Sequence, residues 1–115
     1  MPLLKLETTV ALSDEKQKAL LASLSKIVAE TIGKPEQYVM ITASQTDILM
    51  GGRPGEAAFV QVRSIGGLEG GIPKLLSKRI CALLNEAAGI PQERVYLNFT
   101  DVQDAHWGWK GSTFD

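Results

Sequence analysis

The chain has 115 residues, enough for one domain with one hydrophobic core, and we expect a single domain over residues 1–115. A composition of 44% apolar and 22% charged residues excludes a disordered chain. Twelve basic and thirteen acidic residues give a net charge of −1, and no block of Lys or Arg indicates a nucleic-acid or membrane partner. A chain of this size buries only about two-thirds of its surface, so oligomerisation is expected to add stability.

A single cysteine and a single histidine limit the chemistry available to the chain. Cys81 excludes an intramolecular disulfide and a Cys-x-x-Cys metal or redox pair. His106 has no sequence partners for a catalytic triad or a metal site. No apolar run approaches the ~20 residues of a membrane span, and the first dozen residues lack the pattern of a signal peptide. We therefore expect a cytoplasmic protein without a metal or a cofactor.

The first part of the chain predicts a strand, a helix and a second strand. Ser13 is a good N-cap for the helix, Gly33 stands where a helix ends, and Pro35 prevents its continuation. The apolar residues alternate in the strands and follow helical spacing between them: Leu4, Leu6; Leu20, Leu24, Ile27, Val28; Val39, Ile41, Ala43.

Glycines and prolines between Gln45 and Glu56 predict a loop, after which the same three elements return. Pro73 fits the first turn of the second helix, and Gly89 and Pro91 end it. The apolar residues again alternate in the two predicted strands and follow helical spacing between them: Val60, Val62; Leu76, Ile80, Leu83, Leu84; Val95, Leu97, Phe99. A short tail with Trp107, Trp109 and Phe114 follows.

The first and second strand–helix–strand segments have matching residue patterns at a constant separation along the chain. Gly33, Pro35 and Val39 have the same spacing as Gly89, Pro91 and Val95, 56 residues later. The strands and helix faces fall at this offset too. The sequence therefore predicts two copies of a β-α-β unit, at about residues 2–44 and 58–100.

Each β-α-β unit forms a parallel, right-handed strand pair. We therefore expect an α+β fold in which two pseudo-symmetric units form a four-stranded sheet with both helices on one face. The other face would carry the alternate strand residues, which are Lys5, Glu7, Met40, Thr42, Gln61, Arg63, Tyr96 and Asn98. This mixture of apolar and polar side chains suits subunit packing better than bare solvent.

Pro2 is the candidate for chemistry at the amino terminus. Removal of Met1 would leave Pro2 as a free secondary amine on a rigid strand. An ordinary α-amino group has a pKa of about 7.7–8.0, and burial or a nearby lysine lowers this pKa. An amine that is neutral near pH 7 is a competent general base for a carbon acid. Taken alone, however, a proline at position two is common and indicates no function.

Six short motifs carry a resemblance to a known family. They are Met1-Pro2, Gly33-Lys34-Pro35, Ser64-Ile65-Gly66-Gly67, Arg94-Val95-Tyr96-Leu97-Asn98, Gly108-Trp109 and Gly111-Ser112-Thr113-Phe114. Each is weak alone, but their order and spacing are specific. Over essentially its whole length, the chain resembles the macrophage migration inhibitory factor family of the tautomerase superfamily.

The resemblance implies a homotrimer with one active site at each subunit interface. It implies a keto–enol tautomerase for aromatic α-keto acids such as phenylpyruvate, with dopachrome as a further candidate, in which Pro2 removes and returns the proton. The substrate-binding residues implied are Lys34 and the N–H of Ile65 for the carboxylate, Tyr96 and Asn98 of the neighbouring subunit for the ring and its polar end, and Trp109 and Phe114 for the pocket wall.

Two of these assignments have simpler alternatives. Lys34 directly follows a helix, where a lysine also complements the helix dipole. Tyr96 and Asn98 share one face of a strand and would also serve as ordinary cross-strand packing. An amide on a face that meets a partner is nevertheless better explained by a hydrogen bond to a ligand or an interface.

The chain also departs from the family pattern. Residues 57–60 read Ala-Ala-Phe-Val where animal members carry a Cys-x-x-Cys element, so we expect no thiol oxidoreductase activity. Trp107 stands where a smaller aliphatic residue is usual, and its bulk would narrow the mouth of the pocket. A second hypothesis for function is a cytokine-like signalling or interaction trimer with vestigial activity, although no residue specifically indicates receptor binding.

Overall fold

A computed structural model describes all residues, 1–115. The main elements are β1 (Leu3–Thr8), α1 (Asp14–Ile32), β2 (Met40–Gln45), β3 (Ala58–Ser64), α2 (Ile72–Ala88) and β4 (Val95–Asp101), followed by a hairpin of β5 (Gly108–Trp109) and β6 (Ser112–Thr113). One-turn 3₁₀ helices at Glu36–Tyr38 and Gln92–Arg94 recur at the same offset as the larger elements. No helix has the length and apolar character needed to cross a membrane.

The strands form one sheet in the order β2-β1-β3-β4. Within each β-α-β unit the two strands are parallel, with Leu4 opposite Ile41 in the first and Val60 opposite Leu97 in the second. The two units meet through an antiparallel pair, β1 with β3, in which Leu4 lies opposite Val62. The predicted fold class is therefore confirmed, and the antiparallel centre relates the two units by an approximate two-fold rotation.

The core lies between the helices and one face of the sheet. Its fully buried side chains come from alternate strand positions and from one stripe on each helix: Leu4, Leu6, Val60, Val62; Leu24, Val28; Leu76, Ile80, Leu84. The opposite face of the sheet is uncovered, and Met40 and Tyr96 on it are 62% and 66% exposed. The solvent-accessible surface of 6910 Å² exceeds the roughly 6,100 Å² typical of a monomer of this mass.

The start of α1 and the carboxyl-terminal ends of both helices are formed by the residues that the sequence predicts. The Ser13 hydroxyl accepts a hydrogen bond from the N–H of Lys16 at 3.3 Å and caps α1. Gly33 and Gly89 follow α1 and α2 with φ values of 79° and 67°, in the left-handed region that favours glycine. The chain therefore leaves each helix sharply and returns to the sheet at the same end of each unit.

Hydrogen bonds and close packing fix the turn after β3. The Ser64 hydroxyl donates to the carbonyl of Gly66 at 2.7 Å, and the N–H of Gly66 donates to Asp101 Oδ1 at 2.9 Å. Gly67 has a φ of +82° and lies against α1, where an added Cβ would fall only 2.5 Å from Cγ2 of Ile32. Only glycine fits this position. Its close packing on Ile32 therefore fixes the turn that carries Ile65 against the end of α1.

A glycine-to-alanine pair tests this packing. Gly70 also has a positive φ, of +59°, but nothing lies near its Cβ position, so Gly70→Ala should cost only the backbone strain of about 1–2 kcal/mol. Gly67→Ala should cost about 1–3 kcal/mol more, because Ile32 or the turn must move. Urea unfolding at one protein concentration measures both, and equal losses would show that Gly67 is not constrained by Ile32.

Candidate active site

A cleft of about 410 Å³ lies at the amino-terminal end of β1. Its walls come from the start of the chain, the turn before β2 and the carboxyl-terminal hairpin, and they are lined by Met1, Pro2, Leu3, Gln37, Tyr38, Val39, Met40, Trp107, Gly108, Trp109 and Phe114. Pro2 is fully buried, and its carbonyl accepts a hydrogen bond from the N–H of Met40 at 3.0 Å. The β1–β2 ladder therefore extends to Pro2 and holds it rigidly in the cleft.

Aromatic rings form one wall of the cleft. Trp109 stacks on Phe114, with ring centroids 5.6 Å apart and planes at 11°, and it meets the ring of Tyr38 edge-on at 6.0 Å. Such pairs stabilise beyond their buried area. Lys110 and Gly111, at the tip of the hairpin, have φ values of 53° and 79°, typical of the tight turns that match strand twist. The hairpin therefore presents Trp109 and Phe114 together, as the sequence resemblance implies.

Tyr38 is a cleft residue that the sequence analysis missed. It belongs to the 3₁₀ turn that leads into β2. The available signal was its place directly before the strand predicted to begin at Val39 and to run parallel to β1, because the starts of parallel neighbours lie at the same edge of a sheet. Trp107 also lines the cleft and is half-buried there, so its bulk does occupy part of the pocket.

The amino terminus lies in an environment that disfavours its charged form. Burial, and after it the positive charge of Lys34, lowers the pKa of the Met1 amino group below its ordinary value of 8.0. Lys34 directly follows the Gly33 cap and is half-buried. The charge of Lys34 therefore acts on the chain terminus as well as on the end of α1. While Met1 remains attached, the nitrogen of Pro2 is an amide without basicity.

At residues 65–67, directly after β3, one of three backbone N–H groups has no partner. The N–H groups of Gly66 and Gly67 are occupied by the carboxylates of Asp101 and Glu69, at 2.9 and 3.3 Å. The N–H of Ile65 makes no hydrogen bond within the chain. A Cβ on Gly67 would lie 3.7 Å from Cε of Lys34, so the lysine side chain passes beside this turn. Ile65 and Lys34 thus lie on the same side of the molecule as Pro2.

Tyr96 and Asn98 lie away from this cleft. Leu3 is level with Thr100 across the sheet, so the Cα atoms of Leu3 and Tyr96 are separated by four residues of strand and two strand spacings, about 16 Å. The side chains of Tyr96 and Asn98 are exposed on the open face of the sheet. One chain therefore does not bring them to Pro2, and their assignment to the site stays a prediction that requires a second subunit.

Tyr96 instead lines a second groove, of about 210 Å³, with Ile48, Leu49, Met50, Gly51, Ala58, Phe59 and Arg94. Ala58, Phe59 and Tyr96 occupy the positions of Pro2, Leu3 and Met40 at the offset of the internal repeat. The groove is the counterpart of the Pro2 cleft in the second unit. It lacks an amino terminus, because the chain passes through Ala58 without a break.

The ionisable side chains form no metal site. No group of three His, Cys, Asp or Glu side chains is placed to hold an ion. Cys81 is buried in the core, and this burial raises the pKa of its thiol. An uncharged thiol is a poor nucleophile and a poor metal ligand.

Two β-α-β units joined by an antiparallel centre define the fold of the tautomerase superfamily. The family model for macrophage migration inhibitory factor matches residues 1–115. The chain therefore belongs to the macrophage migration inhibitory factor family.

Known proteins resemble the chain along nearly its full length. The macrophage migration inhibitory factor homolog of Trichuris trichiura is 36% identical over 115 residues, covering 99% of this chain and 100% of its own. The crystal structure of the macrophage migration inhibitory factor-like protein of Entamoeba histolytica matches with a TM-score of 0.94 and 34% identity over 98% of both chains. A third structure, of Pt0534 inactivated by 2-oxo-3-pentynoate, matches with a TM-score of 0.85 and 25% identity over 96% of this chain and 93% of its own.

Lys34→Gln should raise the pKa of the terminal amine, because it removes a positive charge that disfavours the ammonium form. The pKa should stay below its ordinary value, since burial is the larger cause. The pH dependence of acylation at the amino terminus measures this pKa. Lys18→Gln, on the exposed surface of α1, is the control, and equal pKa values in the two variants would contradict the role of Lys34.

Proposed function

We propose that this protein is a keto–enol tautomerase of aromatic α-keto acids such as phenylpyruvate, with Pro2 as the general base. The observation that carries the proposal is the burial of Pro2 in an apolar cleft, at a terminus whose amine pKa is lowered by burial and by Lys34. Removal of Met1 frees the Pro2 nitrogen as a secondary amine. The surroundings that lower the pKa of the Met1 amino group would favour the neutral form of this nitrogen as well.

The reaction needs only a proton to move between two atoms of the substrate. The neutral Pro2 nitrogen takes a proton from the carbon next to the keto group, and the electron pair of the C–H bond shifts toward the carbonyl oxygen. The resulting ammonium group of Pro2 then delivers a proton to that oxygen, which completes the enol. The reverse reaction follows the same path. One group with a pKa near the working pH serves both as base and as acid.

Charge and one free N–H group support recognition of a carboxylate. Lys34 supplies a positive charge beside the turn that carries Ile65, and the N–H of Ile65 has no hydrogen-bond partner within the chain. Together they would hold the substrate carboxylate, while Trp109 and Phe114 pack against its ring. 2-Oxo-3-pentynoate, which inactivates the structural relative Pt0534, is itself a 2-keto carboxylate. Dopachrome, which also joins an enolisable ring to a carboxyl group, is the second candidate substrate.

We further propose that the active form is a homotrimer with a complete site at each interface. Tyr96 and Asn98 are too far from Pro2 in one chain, so a neighbour would bring them to the open side of the cleft. The uncovered sheet face and the large accessible surface of one chain support association. In this arrangement Tyr96 flanks the substrate ring, and the Asn98 amide bonds its polar end.

Pro2→Gly tests the base directly. Glycine leaves a primary amine at the same place but lacks the ring that fixes the nitrogen, so kcat/KM for enol–keto conversion of phenylpyruvate should fall about tenfold or more. Mass spectrometry must first show that Met1 is absent from both proteins. Equal rates would remove Pro2 as the base, and no turnover by the processed protein would favour an interaction trimer instead.

Mixed trimers test the shared site. Pro2→Gly and the double variant Tyr96→Phe/Asn98→Ala should each be weakly active, but refolding them together should restore activity. In a 1:1 mixture, about a quarter of the sites combine an intact Pro2 with an intact neighbouring Tyr96 and Asn98. Sedimentation should give three times the 12.4 kDa of the chain. Activity that merely averages the two variants would place the whole site in one subunit.

A further inference from the structure

Trp107 shares one side-chain face of the carboxyl-terminal hairpin with Trp109 and Phe114. Gly108 pairs with Thr113, so Trp107 lies opposite Phe114 at the next position of the ladder, and its carbonyl accepts a hydrogen bond from the N–H of Phe114 at 3.3 Å. Residues opposite each other in an antiparallel pair share a face, as do residues two apart in one strand. The three rings therefore form one aromatic wall, and all three residues line the cleft at the amino terminus.

Hydrogen bonds fix the backbone of Trp107 on both sides. Its φ of −123° and ψ of 115° are extended, and its N–H donates to the carbonyl of Asp104 at 3.3 Å. The N–H of Phe114, which bonds the Trp107 carbonyl, also reaches the carbonyl of Asp104 at 3.2 Å. The Trp107 side chain is half-buried. A ligand could therefore displace the indole only by forcing it into another rotamer in a crowded place, which costs free energy.

Trp107 also separates the cleft from a neighbouring space. Beyond it lies a depression of about 270 Å³, and the residues that line both this depression and the cleft are Leu3, Trp107 and Gly108. The indole is the largest group of this partition. The depression lies on the sheet face that the proposed trimer would enclose, so there it would be an internal space rather than a surface. A smaller side chain at position 107 would join it to the cleft.

The cleft has the volume of a site for a small ligand. Ligand pockets span about 300–1,000 Å³, and the cleft, at about 410 Å³, lies near the lower end of this range. In the proposed trimer Tyr96 of the neighbouring subunit would add a further wall and leave less room. A second ring fused to the first would need the space that the Trp107 indole occupies. Forcing extra volume into packed surroundings is unfavourable.

We propose that Trp107 is a specificity-determining residue that restricts the substrate to a single aromatic ring. The proposal rests on the proposed tautomerase function and narrows its substrate class. Monocyclic aryl α-keto acids such as phenylpyruvate are accepted, whereas the Trp107 indole excludes fused bicyclic ones such as indole-3-pyruvate. Dopachrome is bicyclic as well, so it would be the poorer of the two candidate substrates.

The ratio of kcat/KM for phenylpyruvate to kcat/KM for indole-3-pyruvate tests the proposal on the full chain with Met1 removed. The unsubstituted protein should favour phenylpyruvate about tenfold or more, and Trp107→Val should reduce this preference about tenfold. Trp107→Phe should give an intermediate ratio. A merely structural role of Trp107 would lower both rates alike and leave their ratio unchanged. Leu75→Ala, which shortens an exposed apolar side chain on α2, is the control and should keep the original ratio.

Equal kcat/KM values for the two substrates in the unsubstituted protein, or the same ratio in Trp107→Val and Leu75→Ala, would overturn the proposal. Trp107→Phe takes the place of Trp107→Val in this comparison if the valine variant does not fold.

A binding measurement separates this proposal from the tautomerase proposal. Benzoylformate and indole-3-glyoxylate carry the same two ring systems on an α-keto acid, but they have no hydrogen on the carbon next to the keto group and cannot enolise. Calorimetric titration should show tighter binding of benzoylformate, and Trp107→Val should reduce this difference. Such selection without turnover of either pyruvate would support the role of Trp107 and contradict the tautomerase. Turnover without selection between the rings would do the reverse.

Discussion

The antiparallel pairing of β1 with β3 is the constraint on which the site depends. It joins the two β-α-β units and places the end of β3, with the Ile65 turn, beside the start of β1. The parallel pairing of β1 with β2 brings the Tyr38 turn to the same edge. The end of α1, with Lys34, returns there as well. Segments far apart in sequence therefore converge on Pro2 without any long loop.

The same pairing keeps Tyr96 and Asn98, the other residues of the proposed site, away from Pro2 within one chain. Because the two units point in opposite directions, the equivalent of the Pro2 cleft lies at the other edge of the sheet, around Ala58 and Tyr96. The molecule has two similar clefts, but only one contains an end of the chain. A trimer in which the two edges meet would make use of both, and it would cover part of a sheet face that one chain leaves open.

The fold sets the surroundings of the terminal amino group, and these surroundings lower its pKa. A terminal amino group on a flexible arm would be hydrated and protonated near neutral pH. Here the hydrogen bond from the N–H of Met40 holds Pro2 in place, and burial, followed by the charge of Lys34, lowers the pKa of the Met1 amino group.

The sequence by itself determined the elements and their order. Alternation, helical spacing, the Ser13 cap and the glycines at 33 and 89 are local signals, and the repeat of 56 residues predicted the two units and the uncovered face. Pro2, Trp109 and Phe114 were assigned to the site through the family resemblance; the three residues line one cleft, and their roles in it stay a prediction. Only the tertiary structure decided that Tyr38 joins them and that Tyr96 lies about 16 Å from Leu3. These facts depend on strand register and on the direction in which the units meet, which no local pattern of residues encodes.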